Sequence, residues 1–194
     1  FYGFPRARAK KKIMIVGAGL AGLQAGAVAA AKGHDVTIYE KKAQVGGQAA
    51  IAAKGPWGDN EFMRLVNHLK TRCEKNGARI ITGTTVTPEL IDQQAPDKVV
   101  LATGALPERS AFPGGDRANV VSCLDVIDGK VAPGKRVIVV GGTGVAISTA
   151  LFLVEKGGYE VSIIGPAKKF GLDVNPSYIW RYMKKLKEGG VKQY

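Results

Sequence analysis

Apolar and polar positions first organise the chain at Ile13–Val16, four apolar residues that predict a buried strand. Gly17-Ala18-Gly19-Leu20-Ala21-Gly22 breaks that run, and small and apolar residues then continue at helical spacing to Gly33. Val36–Tyr39 is a second apolar strand and ends in Glu40. Lys41 to Gln48 follows as a loop with paired glycines, Gly46 and Gly47, and Pro56, Trp57 and Gly58 extend it. Asp59 or Asn60 caps a helix carrying Phe62, Leu65, Val66 and Leu69 on one stripe, and Asn76-Gly77 stops it. Residues 78–86 alternate as a strand closed by Pro88, and residues 98–103 read as a buried strand ending at Gly104. Pro107, Pro113, Gly114 and Gly115 mark a linker, in which Ser122 caps a short helix through Asp125 and Ile127 before Pro133-Gly134. Residues 1–9 show no periodicity and read as a connecting segment.

At Arg136 the pattern starts again. Val137–Val140 is a strand, Gly141-Gly142-Thr143-Gly144 a turn and Val145–Lys156 a helix stopped by Gly157-Gly158; Val161–Ile164 is the next strand. Gly17 aligns with Gly141, Lys32-Gly33 with Lys156-Gly157, and Val36-Thr37-Ile38 with Val161-Ser162-Ile163. A last helix spans 178–187, so this copy is expected to hold two strands, two helices and an incomplete sheet. The fold class that follows is α/β, with two Rossmann-like dinucleotide-binding domains. Residues 10–106 form the first, 107–134 the linker and 135–194 the truncated second.

The first copy carries a nucleotide-binding chemistry. Gly17 permits the tight turn out of the strand, Gly19 lets backbone amides approach a pyrophosphate, and Gly22 lets the helix lie against the sheet. The helix N-terminus offers unpaired N–H groups and partial positive charge to phosphates. Glu40, about twenty residues beyond the glycines, is placed to accept from a ribose diol. The second copy departs at these positions: Thr143 stands for the second glycine, Ala146 for the third and Gly165 for the acid. Lys168 and Lys169 lie just beyond, where cations meet a 2′-phosphate. The second site therefore either prefers NADPH or has decayed.

Among 194 residues the net charge is +12, which raises the question of nucleic acid. The lysines fall in short clusters (10–12, 168–169, 184–187) without interleaved aromatics, so a solvated surface fits better. Cys73 and Cys123 are far apart and His34 and His68 isolated; they form no metal or redox motif, and two thiols suit a cytoplasmic protein. Lys10–Lys12 before an alanine-rich run mimics a secretory signal, but glycines and Gln24 interrupt the run and a strand with an acid follows, which argues for a soluble chain with no membrane segment.

The ordered motifs AKKKIMIVGAGLAGLQAGAVAAAKGHDVTIYEKKAQVGGQ, KVVLATGALPERSAFPGG, CLDVIDGK and GKRVIVVGGTGVAISTALFLVEKGGYEVSII resemble the C-terminal half of the old-yellow-enzyme-like NADH:flavin oxidoreductases, relatives of 2,4-dienoyl-CoA reductase and trimethylamine dehydrogenase. The resemblance covers the chain from Lys10 and implies a glutathione-reductase-like arrangement binding FAD and then NAD(P)H. It implies that Gly17, Gly19 and Gly22, with Leu20 and Ala21 between them, hold the FAD pyrophosphate. Glu40 and Lys41 would meet the AMP ribose, Gly47 and Gln48 the flavin-side half, and Val86 the adenine; Thr103 and Gly104 lie where the chain leaves the FAD domain. Gly141, Gly142, Thr143 and Gly144 would form the NAD(P)H turn, although Ser148 stands where many relatives carry a glutamate. In the family a separate barrel carries FMN, an iron–sulfur cluster and the substrate site, so the chain reads as part of a longer enzyme relaying electrons between NAD(P)H, FAD and that barrel. The competing implication is a structural ADP- or FAD-binding module with a degenerate NAD(P) site. No catalytic side chain is assigned, because flavin accepts hydride at its own ring.

Overall fold

The computed structural model describes residues 5–56, 61–106, 112–166 and 169–194. The chain divides into two units, Phe1–Ala53 with Asp59–Leu106 and Lys54–Gly58 with Pro107–Tyr194. The expected contributions of Trp57, Gly58, Asp59, Asn60, Pro107 and Lys168 lie outside the described residues.

The first unit is built around β1 (Lys12–Val16), α1 (Leu20–Ala31) and β2 (Asp35–Tyr39), followed by α2 (Gly47–Ala52), α3 (Glu61–Lys75), β3 (Arg79–Ile81), α4 (Pro88–Gln94) and β4 (Lys98–Leu101). Its sheet is parallel throughout, in the order β3-β2-β1-β4. Made almost wholly of small and apolar residues, α1 buries Gly22, Leu23, Gly26, Ala27 and Ala30 and exposes Ala21 and Gln24. Leu23 and Ala27 pack with Ile15, Val36 and Ile38 of the sheet and with Val66, Leu69 and Cys73 of α3. The amphipathic α3 turns those three residues inward and its charges outward.

Four expectations change here. The strand expected over 78–86 stops at Ile81, because Gly83 takes a left-handed turn (φ +70°) and the backbone then bonds back to Lys42 and Glu40. β4, expected to be buried, is one of the sheet's two edge strands and pairs only with β1 among the described residues, and its Leu101 is 75% exposed. The paired glycines do not extend a loop; Gly46 reverses the chain and Gly47 opens α2, which buries Ala49 and Ile51. Past the strand end, Pro88 begins α4, with the Thr87 hydroxyl accepting from the Leu90 N–H.

The second unit holds α5 (Cys123–Asp128), β5 (Arg136–Val140), α6 (Gly144–Lys156), β6 (Glu160–Ile164), α7 (Pro176–Glu188) and β7 (Lys192–Gln193). Ser122 caps α5 as expected, its hydroxyl accepting from Leu124. The parallel order β5-β6-β7 corrects the expectation of two strands. α7 and β7 repeat α3 and β3, so the internal repeat reaches a third strand. The core includes Val139, Ile147, Leu151, Leu153, Ile163 and Leu186, with Val126 of α5 joining it.

Candidate functional site

In the first unit the expected residues gather at the carboxyl ends of the parallel strands, where open α/β sheets bind ligands. Val16 leads into Gly17, whose φ of +104° and close approach to Ala102 leave no room for a side chain; an added Cβ would stand 2.4 Å from the Ala102 oxygen. The Gly17 N–H donates to the Tyr39 carbonyl at 2.7 Å, which locks the turn to β2. Gly22 faces back onto that turn: its Cβ would lie 1.9 Å from the Gly17 oxygen. Gly19 is different. It is the N-cap of α1 without a side-chain cap, and among the described residues a Cβ there would meet nothing within 4 Å. The helix end that Leu20 and Ala21 begin therefore opens onto free space above the glycines.

Glu40 is buried, 7% exposed, at the end of β2. One carboxylate oxygen accepts from the Ala18 N–H at 2.8 Å and the other from the Lys42 N–H at 3.0 Å. Its own backbone bonds to Ile81 and Thr84. The acid thus braces the glycine turn from inside, a role that spacing alone did not suggest, and each oxygen keeps lone-pair capacity for a further donor. Lys41 is exposed beside it, and Val86 lies half-buried two residues beyond Thr84.

On the other side of the turn, Gly46 donates to the Ala18 carbonyl at 2.8 Å and pairs with Gly19 in a parallel bridge. Gly47 sits against Gly19, its Cβ position 3.2 Å from the Gly19 Cα. The Gln48 amide donates to the Ala105 carbonyl at 2.7 Å, tying α2 to the segment leaving β4. Thr103 and Gly104 lie on that segment, with the Thr103 Cα 3.3 Å from where a Gly17 Cβ would be. The sequence reading marked Gly46 only as one of the paired glycines, and it missed Ala18 and Ala102, which act through backbone or a methyl group and carry no chemical signature.

The second turn repeats the backbone and not the opening. Gly141 donates to the Ile164 carbonyl at 2.8 Å, as Gly17 does to Tyr39. Thr143 is the N-cap of α6 without a cap bond from its own side chain. Asp173, not singled out from sequence, instead places both carboxylate oxygens on the Gly144 N–H, at 2.9 and 3.0 Å. Gly165 holds the position of the missing acid, Ser148 is half-buried in α6, and Lys169 is exposed.

Elsewhere two perturbed titratable groups belong to packing and ion pairing, Cys73 and Asp128. Burial, reinforced by the charge of Glu74, pushes the Cys73 thiol up; its Sγ meets the Leu23 carbonyl inside the core. Among the described residues no cluster of His, Cys, Asp or Glu is arranged to hold a metal, and no helix is long and apolar enough to cross a membrane. Asp128 is held below its usual range by hydrogen bonds from Lys54 and Lys130. A depressed carboxylate stabilises the fold above its ordinary value of 3.8 and loses that contribution as pH falls through the folded value. Asp128→Asn is expected to cost less than about 1 kcal/mol at pH 7, because both lysines are exposed, and progressively less as the pH falls below the carboxylate's ordinary value. Urea titrations at neutral pH and near pH 2.5 read the difference.

The pyridine nucleotide-disulphide oxidoreductase family model matches residues 11–194. The chain belongs to that family. Within it, the chain matches the C-terminal part of old-yellow-enzyme-like and trimethylamine-dehydrogenase-like flavoenzymes. It is 35% identical to an NADH oxidase of Thermoanaerobacter brockii over 96% of its own length and 29% of that protein's. Its fold follows 2-naphthoyl-CoA reductase in complex with 2-naphthoyl-CoA, with a TM-score of 0.92 and 33% identity, over 98% of this chain and 28% of that one. Thioredoxin reductase of Lactococcus lactis shares the fold alone, with a TM-score of 0.70 at 20% identity over 95% of this chain and 64% of that one. The architecture is therefore the two-domain FAD/NAD(P)-binding fold of pyridine nucleotide-disulphide oxidoreductases. The chain spans less than a third of the NADH oxidase it matches.

Proposed function

We propose that the first unit is the FAD-binding module of a longer NAD(P)H-dependent flavin oxidoreductase. The observation carrying this reading is the cradle at Gly19: an uncapped helix end, free space where a Cβ would be, and a turn held rigid by Gly17, Gly22 and Glu40. Gly17, Gly19, Leu20, Ala21 and Gly22 would hold the pyrophosphate, and Glu40 and Lys41 the ribose. Val86 would lie by the adenine, and Gly47, Gln48, Thr103 and Gly104 toward the flavin. Bound FAD supplies a ring that accepts hydride and passes electrons on, so this chain's residues bind, orient and shield it. The rest of the longer protein, a barrel with FMN and an iron–sulfur cluster, would receive or supply the electrons. Residues 10–106 and 135–194 serve as the FAD and NAD(P) domains, joined by 107–134. Free Cys73 and Cys123 support a cytoplasmic setting.

Gly19→Ala separates ligand binding from folding. The backbone there is φ −73°, ordinary for alanine, so stability is expected to stay within about 0.5 kcal/mol of wild type. The new methyl group points into the cradle, and nucleotide affinity is expected to fall about tenfold or more, roughly 1.4 kcal/mol. Thermal unfolding and FAD titration of the full-length protein measure both; unchanged affinity would overturn the reading.

A second reading has its own support in Asp173, Thr143 and Gly165, which make the second turn a poor pyrophosphate site. On it, FAD or ADP is a structural ligand and NAD(P)H has no place. Identifying the nucleotide released on denaturation, then mixing flavin-loaded protein with NADH and NADPH, decides between the two. Reduction of the flavin supports the relay; released ADP, or a flavin inert to both donors, supports the structural module.

A further inference from the structure

The repeat between the units extends into the segment after the second strand, and the two copies use it oppositely. In the first unit, Gly46 donates to the carbonyl of Ala18, the residue after Gly17. In the second, Gly171 donates to the carbonyl of Gly142, the residue after Gly141, at 2.6 Å. Gly46 and Gly171 are thus counterparts, and counting two residues on makes Asp173 the counterpart of Gln48. Gln48 turns away to Ala105 and leaves the N-terminus of α1 without a side-chain cap. Asp173 turns onto the N-terminus of α6 and takes its first N–H with both oxygens.

The segment around Asp173 is fitted closely over the turn. A Cβ on Gly142 would lie 3.8 Å from the Phe170 ring and one on Gly165 3.0 Å from it. One on Gly144 would lie 2.9 Å from a Val174 methyl. Gly171 itself is wedged against Ile147 and Ile179, where its Cβ would stand 2.8 and 2.4 Å from their δ-carbons. A pyrophosphate at the second turn would therefore meet a carboxylate already on the helix end, aromatic and aliphatic side chains over the glycines, and the side chain of Thr143. In this arrangement the residues do not fit the phosphates of a second dinucleotide.

We propose that the strap Phe170–Val174 closes the second glycine turn from within, the Asp173 carboxylate standing where a pyrophosphate would otherwise sit. A carboxylate and a phosphate compete for the same partial positive charge and the same N–H, and their like charges forbid both being there. A dinucleotide gains the second unit only when Asp173 leaves Gly144, so the strap is an internal competitor that weakens binding. The inference rests on reading the second unit as a dinucleotide-binding domain, and it is independent of whether electrons flow through it.

The test uses the full-length protein with its first site saturated by the nucleotide that it releases on denaturation. ADP-ribose, which carries the pyrophosphate and cannot donate hydride, is titrated calorimetrically into wild type, Asp173→Ala and Asp173→Asn. Asp173→Ala is expected to bind at least about tenfold more tightly than wild type, equivalent to 1.4 kcal/mol, and Asp173→Asn, which keeps an acceptor and loses the charge, to fall between them. Equal or weaker binding in both variants, or no binding by any of the three, overturns the proposal. Hydrogen exchange at the Gly144 amide of the unliganded wild type gives a second check that needs no variant. Slow exchange is expected, and exchange as fast as at a solvent-exposed amide overturns the closed strap. A flavin that NADH fails to reduce would count against the relay function and leave the affinity ratio untouched.

Discussion

Gly22→Ala is expected to destabilise the first unit by about 3 kcal/mol and to abolish nucleotide binding with it. The alanine Cβ would sit 1.9 Å from the Gly17 oxygen, 3.0 Å from its carbonyl carbon and 3.3 Å from the Ala102 methyl. No rotamer relieves a clash with backbone. The Gly17 carbonyl cannot retreat easily, since its residue is fixed by a positive φ and by the bond from its N–H to Tyr39. The helix must lift off the sheet instead, and Leu23 and Ala27, both fully buried, lift with it. Overpacked cores usually lose 1–3 kcal/mol, and a backbone obstacle belongs at the upper end. Urea denaturation compares variant with wild type. A loss below about 1 kcal/mol would mean that the helix slides at little cost and that the close packing does not set the turn.

Glu40→Ala is expected to lower stability and nucleotide affinity together. Removing the carboxylate strands the Ala18 N–H in a fully buried position and frees the Lys42 N–H, for a combined loss of about 2–4 kcal/mol in folding. Affinity for FAD or ADP is expected to fall by a further roughly 1.5–3 kcal/mol, as the ribose loses a charged acceptor and the turn its brace. Glu40→Gln keeps one acceptor oxygen and opposes a donor to the other N–H, so it is expected to recover part of the stability and less of the affinity. Denaturation and nucleotide titration of both variants separate the roles. Lost affinity at unchanged stability would leave Glu40 a ligand residue without a bracing function; lost stability at unchanged affinity would remove it from the ribose site.

These two residues mark how far a chain of this kind can be read locally. Strand, glycine turn, helix and second strand lie within residues 12–39, and each signal (an apolar run, a turn residue, a helical period) depends only on near neighbours. The repeat of that unit at 136–164 is legible for the same reason, and so is the Ser122 cap; of the stripe expected on α3, Val66 and Leu69 are buried while Phe62 and Leu65 are exposed. Spacing also brought Glu40 to the glycines, because strand pairing between β1 and β2 carries Tyr39 level with Val16.

Other elements had no local signal strong enough to show. The seven-residue α4 buries none of its side chains, so it has no apolar stripe, and only Thr87-Pro88 announces it. β7 is two exposed residues that become a strand only by pairing with Ser162 and Ile163. β4 reads as buried because its residues are apolar, but its exposure depends on its place at the edge of the sheet. The opposite fates of the two helix ends depend on residues brought back from far along the chain, Gln48 onto Ala105 in one unit and Asp173 onto Gly144 in the other. Sequence by itself determined which backbone segments could form the two nucleotide folds, since local sterics and burial decide that. Only the tertiary structure decided that the first turn is open and the second filled, because a helix end is satisfied by whatever group the fold delivers to it.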